Sequence, residues 1–505
     1  MKSPRLLPLV LAISLAQLSG VFAEVKLPAL FSDHAVLQRG HPVPVWGSAD
    51  AGEEVTVEFA AQKLTTKAGA DGKWKVTLQP LKETESAVLV VKGKNTLTIN
   101  DVAVGEVWVN SGQSNMAFTL SRDAKGAESA AASDDKLLRM FTVPTKSSDQ
   151  PEADVASKWV AASPATSGSF SAVGYYFARE LRRALKVPVG MLSSSVGGTP
   201  AEAWTSAPAL EAETELKSAF AEARAVAIKA YPAALERFQK NEAQILEKWK
   251  AAVAKAKAEG KTPLPRKPVA PEDPLKSKNR PSGLYNAMIA PLQPYAIRGA
   301  IWYQGESNSG RAAQYRTLFP TMIADWRKVW GQGEFPFFFV QITPHNNMTP
   351  EIREAQLLTT QTVPQTAMAV TTDYGHATDI HPTQKEPVGT RLALAARASV
   401  YGEKIEFSGP TFDSMQVEGG KAVLKFKHAA GLSAKDGALK GFTIAGDDKN
   451  FVPAKAEIEG ETIIVSAEGV AKPAAVRYGW ANVPDVNLYN AAGLPASPFR
   501  TDVEK

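Results

Sequence analysis

From Val104 to about Gly402 the chain alternates apolar runs of strand length with segments whose apolar residues recur at helical spacing. The strand candidates are GEVWVNS, VPVGMLSSS, RGAIWYQG, FPFFFVQI and AMAVTTD, and the helical spacing is carried by AVGYYFARELRRALK, AQYRTLFPTMIADWRKVW and VGTRLALAARASVYG. Strands that are apolar throughout, with helices between them, are buried on both faces and call for a parallel, doubly wound α/β sheet. In such a sheet functional residues are expected where the strands end, at the carboxyl edge.

The flanks read differently. Residues 24–103 alternate apolar and polar residues in short runs such as EEVTVEFAAQ and GKWKVTLQPL, and residues 403–505 do so again in KAVLKFKHA and ETIIVSAEG. Each flank is expected to be a β-domain. A chain of 505 residues is too long for one core. Residues 208–282 interrupt the alternation. The first part, 208–260, is rich in Ala, Lys and Glu with apolar residues near helical spacing, so two helices broken at Pro232 are expected, then a Pro-rich connector. The insertion is either a helical hairpin packed on the sheet or a wall shaping a substrate site.

Lys2 and Arg5, the apolar run from Leu6 and the Val21-Phe22-Ala23 ending identify residues 1–23 as a cleavable secretory signal. This predicts export to a periplasm or to the medium. No later stretch is long and apolar enough to span a bilayer. The chain has no cysteine, which excludes disulfides and thiolate chemistry. A formal net charge of +5, spread over alanine-rich segments, describes a solvated surface rather than a nucleic-acid-binding one.

The stretch VWVNSGQSNM leaves a strand-like alternation to place Ser114 between Gln113 and Asn115. A serine hydroxyl becomes a nucleophile only with a base to take its proton and donors to hold the oxyanion. Of six histidines, His376 and His381 closely follow the last strand of the α/β region. His381 precedes Pro382, which biases it toward an extended loop, and Asp379 stands two residues before it as a candidate orienting acid. Donor loops follow two further strands: Gly197-Gly198, and the Gln304, Glu306, Asn308 block. Met116 occupies the second glycine position of a G-x-S-x-G elbow, so the ordinary α/β-hydrolase arrangement is excluded.

The order of these blocks resembles the SGNH hydrolase superfamily, and within it the chain is similar to the sialate O-acetylesterase family. The resemblance rests on LFSDHAVLQRG, GEVWVNSGQSNM, SVGGTPAEAW, GLYNAMIAPLQPYAIRGAIWYQGESN, DIHPTQK and VRYGWANVPDVNLYNAAGLPASPFRTD. It implies a flavodoxin-like three-layer α/β/α core flanked by β-domains, and hydrolysis of O-acetyl esters on sugars without a metal or organic cofactor. It further implies Ser114 as nucleophile and His381 as base, with the N–H groups of Ser114 and Gly198 and the side chain of Gln304 or Asn308 as oxyanion donors. The SGNH pattern has Asp three residues before its His, where this chain has Thr378. The acid is therefore open among Asp379, Glu306 and Asp373, or absent. The sugar is open between sialic acids, whose carboxylate Arg353 is a candidate to hold, and plant polysaccharides such as xylan or xyloglucan. A lipase- or thioesterase-type enzyme and a non-catalytic glycan-binding protein are the readings from other classes. Trp204, Trp302, Tyr303 and Trp480 could stack on sugars, although buried packing is the expected role for most of them. Oligomeric state is not legible in the sequence.

Overall fold

The computed structural model describes residues 24–261 and 264–502, so the leader expected at 1–23 lies outside the described residues. Its centre is a mixed sheet. In spatial order its main path runs Thr366–Ala369, Phe337–Val340, Gly299–Tyr303, Thr96–Gly112, Val189–Ser195, Asp135–Thr142 and Trp159–Ala162. Neighbours pair in parallel, apart from Trp159–Ala162, which runs antiparallel to Asp135–Thr142. All five expected strands are present. Asp135–Thr142 and Trp159–Ala162 were not anticipated and add an edge beyond Val189–Ser195.

Alternate residues of these strands feed two separate cores, the behaviour of a sheet covered on both sides. Trp108, Met191, Ile301 and Phe338 pack with Val173, Phe177 and Leu181 of the helix Ala172–Leu185 and with Leu392 of Glu386–Ser399. Val107, Val109, Leu192, Trp302 and Phe339 face the other way, onto Phe319, Met322 and Trp326 of Ala312–Trp330 and Ile352 of Pro350–Thr362.

The strand Thr96–Gly112 belongs to two regions at once. Its first half pairs antiparallel with Thr84–Lys92 and its second half enters the parallel sheet. The change of pattern at Val104 thus falls inside one continuous strand. Beyond the sheet, two four-stranded antiparallel sheets form from residues 411–500 around a third core that includes Leu424, Ile444, Val465 and Tyr478.

The insertion corrects one expectation. Thr214–Ala258 is a single helix of 45 residues with Pro232 inside it, rather than two helices. Proline removes one donor and costs about 3 kcal/mol in a helix interior. Here the Ala-, Glu- and Lys-rich turns on either side favour helix, and the carbonyl left without its donor lies on a largely exposed element open to solvent. Only Leu216, Phe220 and Ala256 of this helix are buried, so it stands away from the sheet instead of packing on it as a hairpin. The chain returns along it, and Trp249 Nε1 donates to the Pro265 carbonyl at 2.9 Å.

Candidate active site

At the end of Thr96–Gly112 the backbone turns sharply. Gly112 sits at φ +136°, and a Cβ there would lie 2.2 Å from the Tyr303 carbonyl oxygen, so only glycine fits. Two bonds hold the exit: the Gly112 carbonyl accepts from Val196 N–H at 3.1 Å, and Gln113 N–H donates to the Tyr303 carbonyl at 2.9 Å. The next residue, Ser114, emerges at the carboxyl edge between the ends of Val189–Ser195 and Gly299–Tyr303.

His381 comes from the loop after Thr366–Ala369. Its Nε2 lies 2.8 Å from Ser114 Oγ, hydrogen-bonding distance for accepting the hydroxyl proton. Burial, with repulsion from Lys385 as the next cause, pushes the imidazole below its ordinary pKa and favours the neutral ring a base requires.

The Ser114 and Gly198 N–H groups have no hydrogen-bond partner among the described residues. Gly198 is in the left-handed region at φ +72°, and a Cβ on Gly197 would come within 3.3 Å of Ser114 Cβ. Lys278, on the returning arm of the insertion, fixes this loop by donating to the Gly197 carbonyl at 2.8 Å.

Several expected side chains are committed elsewhere. Gln304 Nε2 donates to Asn308 Oδ1 at 2.6 Å and to the Thr199 carbonyl at 3.3 Å. Asn308 Nδ2 donates to Glu202 at 3.0 Å. Gln304 spends both of its N–H groups on fixing the two donor loops to each other, Asn308 gives one to Glu202, and neither side chain lines the cleft beside Ser114. Gln113 lines the cleft with Ser114 and Gly198. Its Oε1 accepts from Ser307 N–H at 3.2 Å, leaving its NH2 without a protein partner among the described residues.

Each candidate acid is engaged away from the His381 ring. Asp379 Oδ1 accepts the His381 backbone N–H at 2.9 Å, and no carboxylate among the described residues hydrogen-bonds the ring Nδ1. An aspartate two positions before another residue readily closes such a turn onto that residue's backbone N–H. Asp373 is held by both arms of the Arg391 guanidinium at 2.8 and 2.6 Å. Glu306 accepts from Asn115 Nδ2 at 2.7 Å, and burial raises its pKa. Arg353 is fully buried, donating to the Ala481 and Asn482 carbonyls, and burial lowers its pKa to about 10. It has no access to a substrate carboxylate. Trp204, Trp302 and Tyr303 are buried as well, and Trp480 packs under Arg500.

The cleft around Ser114 and His381 is lined further by Phe118, Arg122, Leu264, Arg266 and Tyr374. Leu264 and Arg266 come from the insertion, so its returning arm forms part of the wall.

A model of the family "SASA: Carbohydrate esterase, sialic acid-specific acetylesterase" matches residues 273–398. The sialate O-acetylesterase of Rattus norvegicus is 30% identical over 99% of this chain and 98% of its own length. The chain belongs to the sialate O-acetylesterase family. It is accordingly an enzyme, a carboxylic ester hydrolase. The human sialate O-acetylesterase is 28% identical, covering 90% of this chain and 88% of that protein. Among solved structures, a carbohydrate acetylesterase from Xanthomonas citri is 39% identical with a TM-score of 0.79, covering 95% of this chain and 100% of that one. Three residues of this esterase's site escaped the sequence reading: Gln113, Asn115 and Lys385. The first two flank Ser114 and Lys385 lies four positions beyond His381, so proximity to the motif residues was the available signal.

Proposed function

We propose that the chain is an exported serine esterase that removes O-acetyl groups from carbohydrates, with an SGNH-type, flavodoxin-like three-layer core as its scaffold. The observation that carries this reading is the 2.8 Å contact of His381 Nε2 with Ser114 Oγ beside the unpartnered N–H groups of Ser114 and Gly198. Ser114 Oγ attacks the acetyl carbonyl carbon while His381 Nε2 takes the hydroxyl proton. The N–H groups of Ser114 and Gly198, with the Gln113 amide, hold the oxyanion. Collapse breaks the ester bond and His381 returns its proton to the departing sugar oxygen, leaving acetyl-Ser114. Water then attacks the acetyl carbon as His381 takes its proton; collapse breaks the bond to Ser114 Oγ, which receives that proton from His381, and acetate leaves. In this reading residues 24–103 and 403–505 are β-domains around the hydrolase region 104–402, and the leader-like residues 1–23 support export.

The substrate class follows from the relatives, whose names specify sialate or carbohydrate acetyl esters. Arg122 and Arg266 on the cleft wall favour an acidic sugar such as a sialic acid over neutral xylan or xyloglucan. The deciding experiment measures acetate release by residues 24–505 from O-acetylated sialic acid and from acetylated xylan and xyloglucan oligosaccharides. Ser114→Ala is expected to lose nearly all turnover with an unchanged circular dichroism spectrum. Near-normal acetate release by that variant would remove Ser114 from the mechanism, and sugar binding without any release by the wild type would favour a glycan-binding protein.

A further inference from the structure

Beneath the Ser114 turn lies a buried polar network that the reaction above leaves unused. Lys385 closes the loop that carries His381 and precedes the helix Glu386–Ser399. Its side chain is buried, and Nζ lies 2.5 Å from Asn115 Oδ1. The same ammonium sits over two ring faces, 4.9 Å from the centre of Phe118 and 5.4 Å from that of Tyr303. With its oxygen taken by Lys385, the Asn115 amide must turn its Nδ2 the other way. That nitrogen donates to Glu306 Oε1 at 2.7 Å and to the Ile380 carbonyl at 3.0 Å.

One amide therefore joins the residue after Ser114, the residue before His381, the Glu306 loop and the end of the histidine loop. The far end is anchored too. Lys385 N–H donates to Asp123 Oδ2 at 2.7 Å, and Ala124 N–H donates to the Thr383 carbonyl at 3.0 Å.

We propose that Lys385 is a positioning residue of the hydrolysis: it clamps Asn115 under the nucleophile turn and sets a positive charge behind the base His381. The proposal rests on the reading of Ser114 and His381 as nucleophile and base.

Burying a cation without a carboxylate in direct contact costs desolvation that the two ring faces offset only in part, and calls for a compensating role. Burial lowers the Lys385 pKa to about 7, while Glu306, Asp123 and Asp379 favour its charge and Arg122 opposes it. His381 is faced by Lys385, Arg122 and Arg266, which disfavour the imidazolium, and by Asp379, which favours it. As pH falls, Lys385 takes up its proton first. The charge so placed raises the cost of a second one on the ring, and the two sites titrate as a coupled pair.

The test compares pH profiles of kcat/KM for acetyl-ester hydrolysis by the wild type, Lys385→Met and Lys385→Arg. With the positive charge gone, His381 protonates more readily. The acid limb of Lys385→Met should move up by roughly 0.5–1 pH unit, the scale of one neighbouring charge at an intermediate dielectric. Lys385→Arg keeps the charge and should hold the limb near the wild-type position. A rate loss in Lys385→Met that is equal at every pH, with the limb unmoved, would reduce Lys385 to a structural clamp and overturn the proposal. Should the methionine variant not fold, NMR titration of His381 in the wild type decides. The imidazole Cε1–H should sense one event near pH 7 from Lys385 and then titrate at lower pH, whereas a single step at the ordinary histidine value would overturn the proposal. That titration needs no turnover, so it stands apart from the fate of the Ser114 assignment.

Discussion

At the scale of single residues, strand ends and chain order point to Ser114 and His381, but not to which amides and carboxylates face them. Gln304 and Asn308 sit in a loop beside the cleft, yet their side chains turn toward each other, Thr199 and Glu202. Rotamer choice is settled by tertiary partners, and a sequence does not display it. The consequence is measurable by comparing kcat for two variants. Gln113→Ala removes the side-chain amide proposed to hold the oxyanion and should lower kcat by about 10²–10³, the usual scale for one such group. Asp379→Asn keeps an oxygen to accept the His381 backbone N–H and should cost less than about tenfold, far below the ~10⁴ of an acid that orients the base ring. The reverse order would return Asp379 to the triad and dismiss Gln113.

Among the elements, five strands were legible because each holds a short apolar run. Asp135–Thr142 was not, since its sequence DKLLRMFT carries charge at its start and in its middle. Arg139 is nevertheless buried there, because its guanidinium donates to the Asp101 carbonyl at 2.6 Å and to Asp101 Oδ1 at 3.1 Å. The helix Thr214–Ala258 runs through Pro232 for a related reason: a local breaker loses when every flanking turn favours helix and water can reach the backbone. The strand-to-turn junction at Gly112 admits no such compromise. Gly112→Ala would put a Cβ 2.2 Å from the Tyr303 carbonyl oxygen at a φ of +136°. Urea unfolding should register a loss of roughly 2–4 kcal/mol, from backbone strain plus the displaced neighbouring strand. Gly310→Ala is the control, for nothing lies within 4 Å of a Cβ there, and its change should stay within about 0.5 kcal/mol. Equal stability of the two variants would show that the turn relaxes without cost.

On the scale of the whole molecule, distant parts of the chain meet at one cleft. The C-terminal region supports it from behind: Arg353 holds the Ala481 and Asn482 carbonyls, His345 N–H donates to Asn482, and His376 N–H donates to Pro344 in the loop that leads to His381. The insertion contributes from the front, where Leu264 and Arg266 join Arg122 on the wall. An exposed arginine on a cleft wall acts mainly on a charged ligand, and that action weakens with salt. Arg266→Ala should therefore raise KM for an O-acetylated sugar bearing a carboxylate by about two- to fivefold at low ionic strength, with kcat little changed. The difference should shrink as salt is raised past ~0.2 M, where the screening length falls below that at 0.1 M, about 10 Å. On neutral xyloglucan or xylan oligosaccharides the same variant should show no salt-dependent change. An equal KM increase for charged and neutral sugars at every ionic strength would mean that the insertion acts by shape alone, and the case for an acidic substrate would lose its footing in the cleft.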